Sequence, residues 1–229
     1  MGSDIPKQYL PLAGRPLLSY ALDVFQKSAC IQEIIIVCET GGEERLRREI
    51  LQAQDGSEVC ARYPKVSAVV PGGAERYISV CHGLRALSPD TEAAFIHDGA
   101  RPFVTEALIE QLSALVQRHG ACAVAAPATD TVRLVDEAGC AQETPDRRFV
   151  RLMQTPQVFR YPQILEAYEA LLRDASAAAT AITDDVQVWQ QYAPAPTPVR
   201  ILDGDATNLK ITTPLDMRMA ELLLADYSR

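Results

Sequence analysis

The length, composition and charge of this chain already narrow the class of protein. With 229 residues, 48% of them hydrophobic, the chain can bury a sizeable core, and we expect one domain spanning residues 1–229. The formal net charge of −8 argues against a general nucleic-acid-binding protein, which needs clustered basic residues to neutralise phosphates. No apolar run reaches the length of a membrane span, and the first residues lack the order of a secretory signal.

The cysteines and the conventional active-site motifs exclude further classes. The six cysteines are spread without a CxxC pair, so neither a zinc site nor a dithiol redox motif is indicated, and we expect a reduced, cytoplasmic protein. The sequence contains no GxxxxGK[ST], GxGxxG, GxSxG or HExxH motif. None of the three histidines lies in a recognisable nucleophile setting, which disfavours hydrolase chemistry.

Taken in chain order, buried strands alternate with helical segments. Short apolar runs without polar alternation predict strands covered on both faces, at Glu33–Cys38, Val66–Val70, Ala93–His97 and Ala121–Ala126. Helical spacing is found at Pro16–Lys27, Gly42–Ala53, Glu75–Leu87, Thr105–His119, Tyr161–Asp174, Asp184–Gln191 and Pro214–Ala225. This alternation predicts an α/β fold with three layers and a mostly parallel sheet.

The stretch from Thr131 to Thr155 breaks this pattern. Two segments of alternating hydrophobicity, TVRLV and RFVRLM, flank the polar sequence DEAGCAQETPD. This arrangement predicts a hairpin or projecting β-arm at about residues 132–153. Taken alone, such a pattern is more often an ordinary surface hairpin.

A glycine-rich turn follows the strand that ends at Val70. Gly72 and Gly73 precede a helix whose start, near Arg76, could present backbone amides to an anion or a nucleotide. Ser79 lies three residues after Arg76, on the same side of that helix. Two glycines before a helix are nevertheless more often only a turn.

A second candidate site follows the strand that ends at His97. Asp98 could hold a divalent metal and Arg101 a phosphate. An equally good interpretation is that Asp98 caps the turn and pairs with Arg101. His97 itself ends an apolar run, and we interpret it as a packed histidine rather than a ligand.

Two lysines, Lys7 and Lys210, lie in or beside apolar stretches. An ammonium group in that setting must reach solvent or an anion. A surface lysine whose stem covers apolar neighbours is the commoner case for any one lysine. Two such residues in an acidic chain favour phosphate binding.

Together these segments resemble the methylerythritol phosphate cytidylyltransferase family over nearly the whole chain. The matching segments, in order, are PKQYLPLAGRPLL (6–18), GGAERYISV (72–80), HDGARP (97–102), APATDTVR (126–133), QTPQVF (154–159), ITDD (182–185) and NLKITTP (208–214). The resemblance implies a Rossmann-like nucleotidyltransferase fold. It also implies transfer of a cytidylyl group from CTP to a polyol phosphate in isoprenoid precursor synthesis.

The resemblance assigns roles to individual residues. It implies that Lys7 and Lys210 act catalytically at the phosphates. It places Gly73, Arg76 and Ser79 beside the cytosine and ribose, with Asp98 binding the nucleotide through Mg²⁺. The implied contacts to the polyol phosphate are Arg101, Thr131, Arg147 and Thr155. In this family the arm clasps a second subunit, so the resemblance implies a homodimer in which Thr131 and Arg147 serve the neighbouring site.

Three further expectations follow from the same resemblance. The family's chains carry a buried strand and a glycine-rich loop before the position that matches Met1, so either further residues precede Met1 or the core has an unfilled slot. A ribitol phosphate cytidylyltransferase has similar motifs and remains an alternative. So does a non-catalytic nucleotide-binding or dimerisation module. Neither nucleic acid nor a membrane is an expected partner.

Overall fold

A computed structural model describes residues 6–51, 62–174 and 182–227, in which strands and helices alternate along the chain. The described strands are β1 (Pro11–Leu12), β2 (Arg15–Pro16), β3 (Ile34–Cys38), β4 (Val66–Pro71), β5 (Ala93–Ile96), β6 (Ala121–Pro127), β7 (Arg151–Arg160) and β8 (Arg200–Asp203). The described α-helices are α1 (Leu17–Lys27), α2 (Glu43–Leu46), α3 (Arg76–Arg85), α4 (Glu106–His119), α5 (Tyr161–Arg173), α6 (Asp185–Tyr192) and α7 (Pro214–Tyr227).

The predicted α/β class is confirmed, and the predicted strands and helices are present. The helix expected at 42–53 is α2 followed by a π-helical turn over Arg47–Leu51, and its last two residues lie outside the described ranges. Helix α4 shows how local chemistry sets the ends. The side chain of Thr105 accepts a hydrogen bond from the Leu108 amide (3.3 Å), and Gly120 ends the helix at φ 81°, a conformation that favours glycine.

The strands pair in two larger groups. Strands β3 and β4 are parallel, while the other sheet has the order β5-β7-β6-β8. In that sheet β8 is parallel to β6, but β7 runs antiparallel to both of its neighbours. The larger sheet is therefore mixed, and strands β7 and β8 were not predicted from the sequence.

The polar segment between β6 and β7 forms a hairpin. The Leu134 amide donates to the Glu143 carbonyl (2.8 Å), and the Gln142 amide donates to the Leu134 carbonyl (2.9 Å). The second alternating segment instead begins β7, where Met153 pairs with Ala125. A hairpin is thus present within the predicted range, while the RLM residues belong to β7.

Helices α5 and α6 pack together over the larger sheet. The fully buried ring of Trp189 in α6 lies 5.4 Å from the ring of Phe159 in β7. Its indole N–H also donates to the Thr197 carbonyl (2.9 Å). This contact fixes α6, whose first residue takes part in the site described below.

A cavity of about 1920 Å³ separates β3 from β5. Among the described residues, β3 pairs only with β4 and β5 only with β7, so each turns an edge towards this cavity. Apolar side chains of α1 and α3, including Leu22 and Leu84, line it on either side. Within the described ranges, no helix combines the length and apolarity needed to cross a lipid bilayer.

Candidate active site

Charged side chains from three parts of the chain converge on Asp98, which follows β5. The ammonium Nζ of Lys210 lies 2.8 Å from Oδ2 of Asp98, and the guanidinium Nη2 of Arg76 lies 3.5 Å from Oδ1. The Asp98 side chain is only 16% exposed. Burial acts to raise the pKa of Asp98, but the contacts with Lys210 and Arg76 outweigh it and lower that pKa. Asp98 is therefore a charged carboxylate in contact with two cations, and Nε of a third, Arg101, lies 3.9 Å from its Oδ2.

The stronger ion pair of Arg76 is made with Asp185, at the start of α6. Two parallel hydrogen bonds join them, from Nη1 to Oδ1 (2.7 Å) and from Nη2 to Oδ2 (2.8 Å). Asp185 is completely buried, whereas the Arg76 side chain is 36% exposed. Burial opposes the charged form of Arg76, but pairing with Asp185 and Asp98 prevails and raises its pKa.

Further hydrogen bonds hold Asp185 from behind. The phenol of Tyr168 donates to its carboxylate, and Oε1 of Gln157 accepts from the backbone amides of Asp185 (3.0 Å) and Val186 (2.9 Å). Sequence reasoning assigned no role to these residues. The ITDD segment was recognised as a motif, but its partner Arg76 is 109 residues away.

A chain of hydrogen bonds connects Asp98 to its neighbours through Thr155 and His97. The Asp98 amide donates to Oγ1 of Thr155 (3.0 Å), and that hydroxyl lies 3.1 Å from Nδ1 of His97. Nε2 of His97 lies 3.0 Å from the Arg101 carbonyl. Because a carbonyl can only accept, Nε2 carries the proton, so Nδ1 accepts from Thr155. Thr155 is 4% exposed, and its hydroxyl acts here on protein groups.

The interpretation of His97 as a packed histidine is confirmed. Its ring lies 5.2 Å from that of Phe25, and both ring nitrogens are engaged. Burial lowers the pKa of His97 to about 4, so the ring is neutral at physiological pH. It can then accept from Thr155, which a protonated ring could not do.

Removal of the Thr155 hydroxyl should disturb this chain of hydrogen bonds. We expect Thr155→Val to lower kcat/KM by about 10-fold, because the Asp98 amide and the His97 Nδ1 each lose a buried partner. Thr155→Ser keeps the hydroxyl and should remain within about 2-fold of wild type. Steady-state rates of the cytidylyl transfer that the sequence resemblance implies measure both variants. Equal losses in the valine and serine variants would show that the effect does not depend on the hydroxyl, because Thr155→Ser retains it.

The Arg101 side chain borders this network and is also buried. Its Nη1 donates to the Asn208 carbonyl (2.7 Å), and its Nη2 lies 3.5 Å from the Met153 carbonyl. Burial lowers the pKa of Arg101, although an arginine stays protonated near neutrality. Among the described residues, its Nε and the Oδ1 of Asn208 are buried without a hydrogen-bond partner.

Five of the predicted site residues border one polar cavity of about 230 Å³. It is lined by Arg76, Asp98, Arg101, Met153, Gln154, Thr155, Gln157, Thr183, Asp184 and Lys210. Three cations, two carboxylates and two hydroxyl groups thus surround a space of the size of a small anion or polyol group. The structure brings these five residues together from segments far apart in the sequence.

The predicted nucleotide-binding turn borders the larger cavity beside the same cluster. Gly72, Gly73, Ser79 and Lys7 line that cavity together with Arg76 and Asp98. The Gly73 amide donates to Oγ of Ser79 (3.0 Å). A Cβ atom on Gly72 would lie 2.9 Å from that oxygen, so a side chain would crowd the turn. Lys7 is exposed in a 3₁₀ helix.

Thr131 and Arg147 lie apart from the cluster. Both are exposed in the segment between β6 and β7, where Nη1 of Arg147 donates to the Thr129 carbonyl (2.7 Å). Neither residue borders either of the two cavities. Within one chain, the structure does not bring them to Asp98.

The described carboxylates at the site could bind a metal ion only if phosphates of a bound substrate and water supplied its other ligands. Within the described ranges, no three His, Cys, Asp or Glu side chains are grouped as a metal site. Asp98 is a single charged carboxylate. That donor set suits Mg²⁺, which usually binds proteins through one or two carboxylates and completes its shell with phosphates and water.

Comparison with known proteins decides the family. The family model for 2-C-methyl-D-erythritol 4-phosphate cytidylyltransferase matches residues 1–226. The chain belongs to this family. Curated members from Desulforamulus reducens and Alkaliphilus oremlandii are 40% and 38% identical to it. Each alignment covers 98% of this chain, together with 90% and 89% of the respective relative.

Solved structures of cytidylyltransferases from this family share the fold. A 4-diphosphocytidyl-2C-methyl-D-erythritol synthase from Anaerococcus prevotii superposes with a TM-score of 0.83 at 29% identity, covering 98% of this chain and 92% of that one. The 2-C-methyl-D-erythritol 4-phosphate cytidylyltransferase of Thermus thermophilus gives a TM-score of 0.72 at 30% identity, covering 96% and 94%. The predicted resemblance and the nucleotidyltransferase fold are confirmed, as is the class of enzyme.

Proposed function

We propose that this chain transfers a cytidylyl group from CTP to 2-C-methyl-D-erythritol 4-phosphate and releases pyrophosphate, a step of isoprenoid precursor synthesis. The observation that carries the proposal is the contact of Lys210 with Asp98 (2.8 Å), beside the half-buried Arg76 and the buried Arg101. This cluster lies in a member of the cytidylyltransferase family, at the carboxyl end of β5, where open α/β sheets bind ligands.

The main obstacle in this reaction is repulsion between two anions. An oxygen of the polyol phosphate must attack the α-phosphorus of CTP. As the bond from that phosphorus to pyrophosphate breaks, the departing pyrophosphate gains negative charge. The ammonium groups of Lys7 and Lys210 offset this charge where it develops, which lowers the barrier more than uniform binding would. The cluster therefore acts through preorganised electrostatics.

The reaction asks for no nucleophile or general base from the protein. The attacking phosphate is already ionised at neutral pH, so positioning and charge stabilisation suffice. This agrees with a site whose only histidine, His97, is neutral, buried and hydrogen-bonded on both ring nitrogens.

Asp98 is the residue that would hold Mg²⁺. When bound, the metal would neutralise part of the negative charge of the phosphates. Oδ2 of Asp98 already accepts from Lys210, so Lys210 is placed beside any phosphate held at that carboxylate. The turn at Gly73 and Ser79 would border the cytosine and ribose, with Arg76 between the base and Asp98.

The polyol phosphate would lie in the smaller cavity, beside Arg101 and Thr155. Thr131 and Arg147 would reach it only from a second subunit, because both are exposed on the arm of their own chain. A cavity lined by cations, carboxylates and hydroxyl groups suits several polyol phosphates, ribitol 5-phosphate among them.

A substrate screen tests the proposal directly. Initial rates of pyrophosphate release from CTP are measured with methylerythritol phosphate or ribitol 5-phosphate, each with and without Mg²⁺. We expect turnover with methylerythritol phosphate that requires Mg²⁺. Preference for ribitol phosphate would reassign the acceptor. Absence of turnover with either one, in protein shown to be folded, would favour a non-catalytic nucleotide-binding module.

We also propose that the arm joins two copies of the chain. Large apolar side chains are exposed on and beside it, including Val135 (60%) and Phe149 (82%). An exposed apolar patch of this kind marks an association surface, and a second identical arm is a self-complementary partner for a two-fold dimer. The same association would complete the acceptor site with Thr131 and Arg147.

Disruption of this patch should separate the subunits. We expect Phe149→Asp to convert a dimer into a monomer in analytical ultracentrifugation and to lower kcat/KM by at least about 10-fold, because it buries an unpaired charge. Leu222→Asp, which makes the same change at an exposed position of α7 (70%), is the matched control and should leave the dimer intact. A wild-type chain that sediments as a monomer would contradict the proposal.

A further inference from the structure

Four of the charged residues of the cluster form a row with alternating sign. In order they are Asp185, Arg76, Asp98 and Lys210, and the joining contacts measure 2.7–2.8 Å, 3.5 Å and 2.8 Å. The middle contact, between Arg76 and Asp98, is the loosest. Arg76 is therefore bound mainly to the buried Asp185 and only weakly to the carboxylate at the centre of the site.

We propose that Asp185 is a positioning residue, which holds Arg76 away from Asp98 and so leaves Asp98 to Lys210 and the reactants. The proposal rests on the cytidylyl transfer proposed above and adds to it a residue that touches no reactant. Asp185 acts through the guanidinium group of Arg76.

The surroundings of Asp185 suit this role. Its carboxylate receives two hydrogen bonds from Arg76 and one from Tyr168, and the amide of the same residue is held by Gln157. These partners come from α3, α5 and β7. The carboxylate thus cannot follow Arg76 if the arginine moves, and a bidentate pair fixes the plane of the guanidinium group.

Without Asp185, Asp98 would become the principal carboxylate within reach of Arg76. Nε and Nη2 of Arg76 already lie 3.5 Å from its Oδ1. A small movement would give a bidentate pair that competes with Lys210 for Asp98. This competition would weaken the stabilisation of negative charge in the transition state. The proposed contacts of CTP with Gly73 and Ser79 would persist.

A packing role alone does not explain this arrangement. A completely buried charged pair is often no more stabilising than apolar residues of similar size, because both ions lose their hydration. Here one member of the pair, Arg76, is 36% exposed and faces the site. The pair therefore links the buried start of α6 to the reacting centre.

A double-mutant cycle tests the proposal, with Asp185→Asn and Arg76→Gln made singly and together. In the wild-type background we expect Asp185→Asn to lower kcat about 30-fold, the scale of one hydrogen-bonded charge, and to change KM for CTP by no more than about 3-fold. In the Arg76→Gln background, Asp185→Asn should alter kcat by no more than about 2-fold, because the arginine that Asp185 positions is absent.

The outcomes separate this proposal from the proposed function. No turnover by wild type would refute the function itself. Turnover by wild type, with equal losses from Asp185→Asn in both backgrounds, would show that Asp185 acts independently of Arg76 and would overturn the positioning role. So would a kcat above half of the wild-type value in the single variant.

A milder variant covers the case in which Asp185→Asn does not fold, as judged by circular dichroism and urea unfolding. Tyr168→Phe removes one hydrogen bond to Asp185 and keeps the ion pair. We expect it to lower kcat about 3-fold in the wild-type background and to leave kcat unchanged in the Arg76→Gln background. Equal losses in the two backgrounds would again reject the positioning role.

Discussion

Lys210→Ala should lower kcat by about 10²-fold or more, the scale of one preorganised transition-state contact. The ammonium group of Lys210 lies 2.8 Å from Asp98, at the centre of the cluster where the phosphates are proposed to react. The substitution removes a positive charge beside the oxygens of the α-phosphate, on which negative charge increases in the transition state. The measurement is kcat for pyrophosphate release from CTP, with methylerythritol phosphate at saturation.

Two further variants sharpen this prediction. Lys27→Ala removes an exposed lysine in the last turn of α1 and should retain wild-type turnover, so it controls for the overall change in charge. Lys210→Arg keeps the charge but changes its shape, and should recover part of the activity. Near-wild-type kcat in Lys210→Ala would remove this residue from the mechanism.

Asp98→Asn should lower kcat/KM by about 10²-fold to 10³-fold and raise the Mg²⁺ concentration needed for half-maximal activity. The substitution keeps the size of the side chain but removes the charge that Arg76 and Lys210 both contact. These two cations then lose their common partner, and the proposed metal loses its protein ligand. Activity measured across a Mg²⁺ titration reports both effects.

Asp90→Asn is the matched control, because Asp90 is an exposed aspartate in the turn before the same strand, β5. It should leave both the activity and the Mg²⁺ titration unchanged. If Asp98→Asn also gave an unchanged titration, the metal would have to bind elsewhere. Urea unfolding of each variant distinguishes loss of the site from loss of the fold.

Sequence patterns predicted best those strands of the two larger sheets that are buried on both faces. The run Ala121–Ala126 is apolar throughout, so strand β6 was predictable from hydrophobicity alone. Strand β7 was not, because its first residues, Arg151 and Leu152, alternate in polarity and its later residues are buried. Its antiparallel position between β5 and β6 depends on pairing between distant segments, which local periodicity does not encode.

The same limit applies to the site. Asp98 and Arg76 were predictable because each follows a buried strand, where ligands of α/β proteins bind. Asp185 was not, because an aspartate beside another at the start of a helix is fully explained by helix capping. Only the folded structure shows that its carboxylate turns inward and meets Arg76, with the phenol of Tyr168 behind it.

Lys7, Lys210 and Asp98 are proposed to bind the reacting phosphates at one place. A crystal structure of the chain with CTP and Mg²⁺ tests it most directly. We predict that the α-phosphate lies within hydrogen-bonding distance of the ammonium groups of Lys7 and Lys210, with the metal on Asp98. A triphosphate bound away from Asp98, with neither lysine in contact with it, would contradict the account.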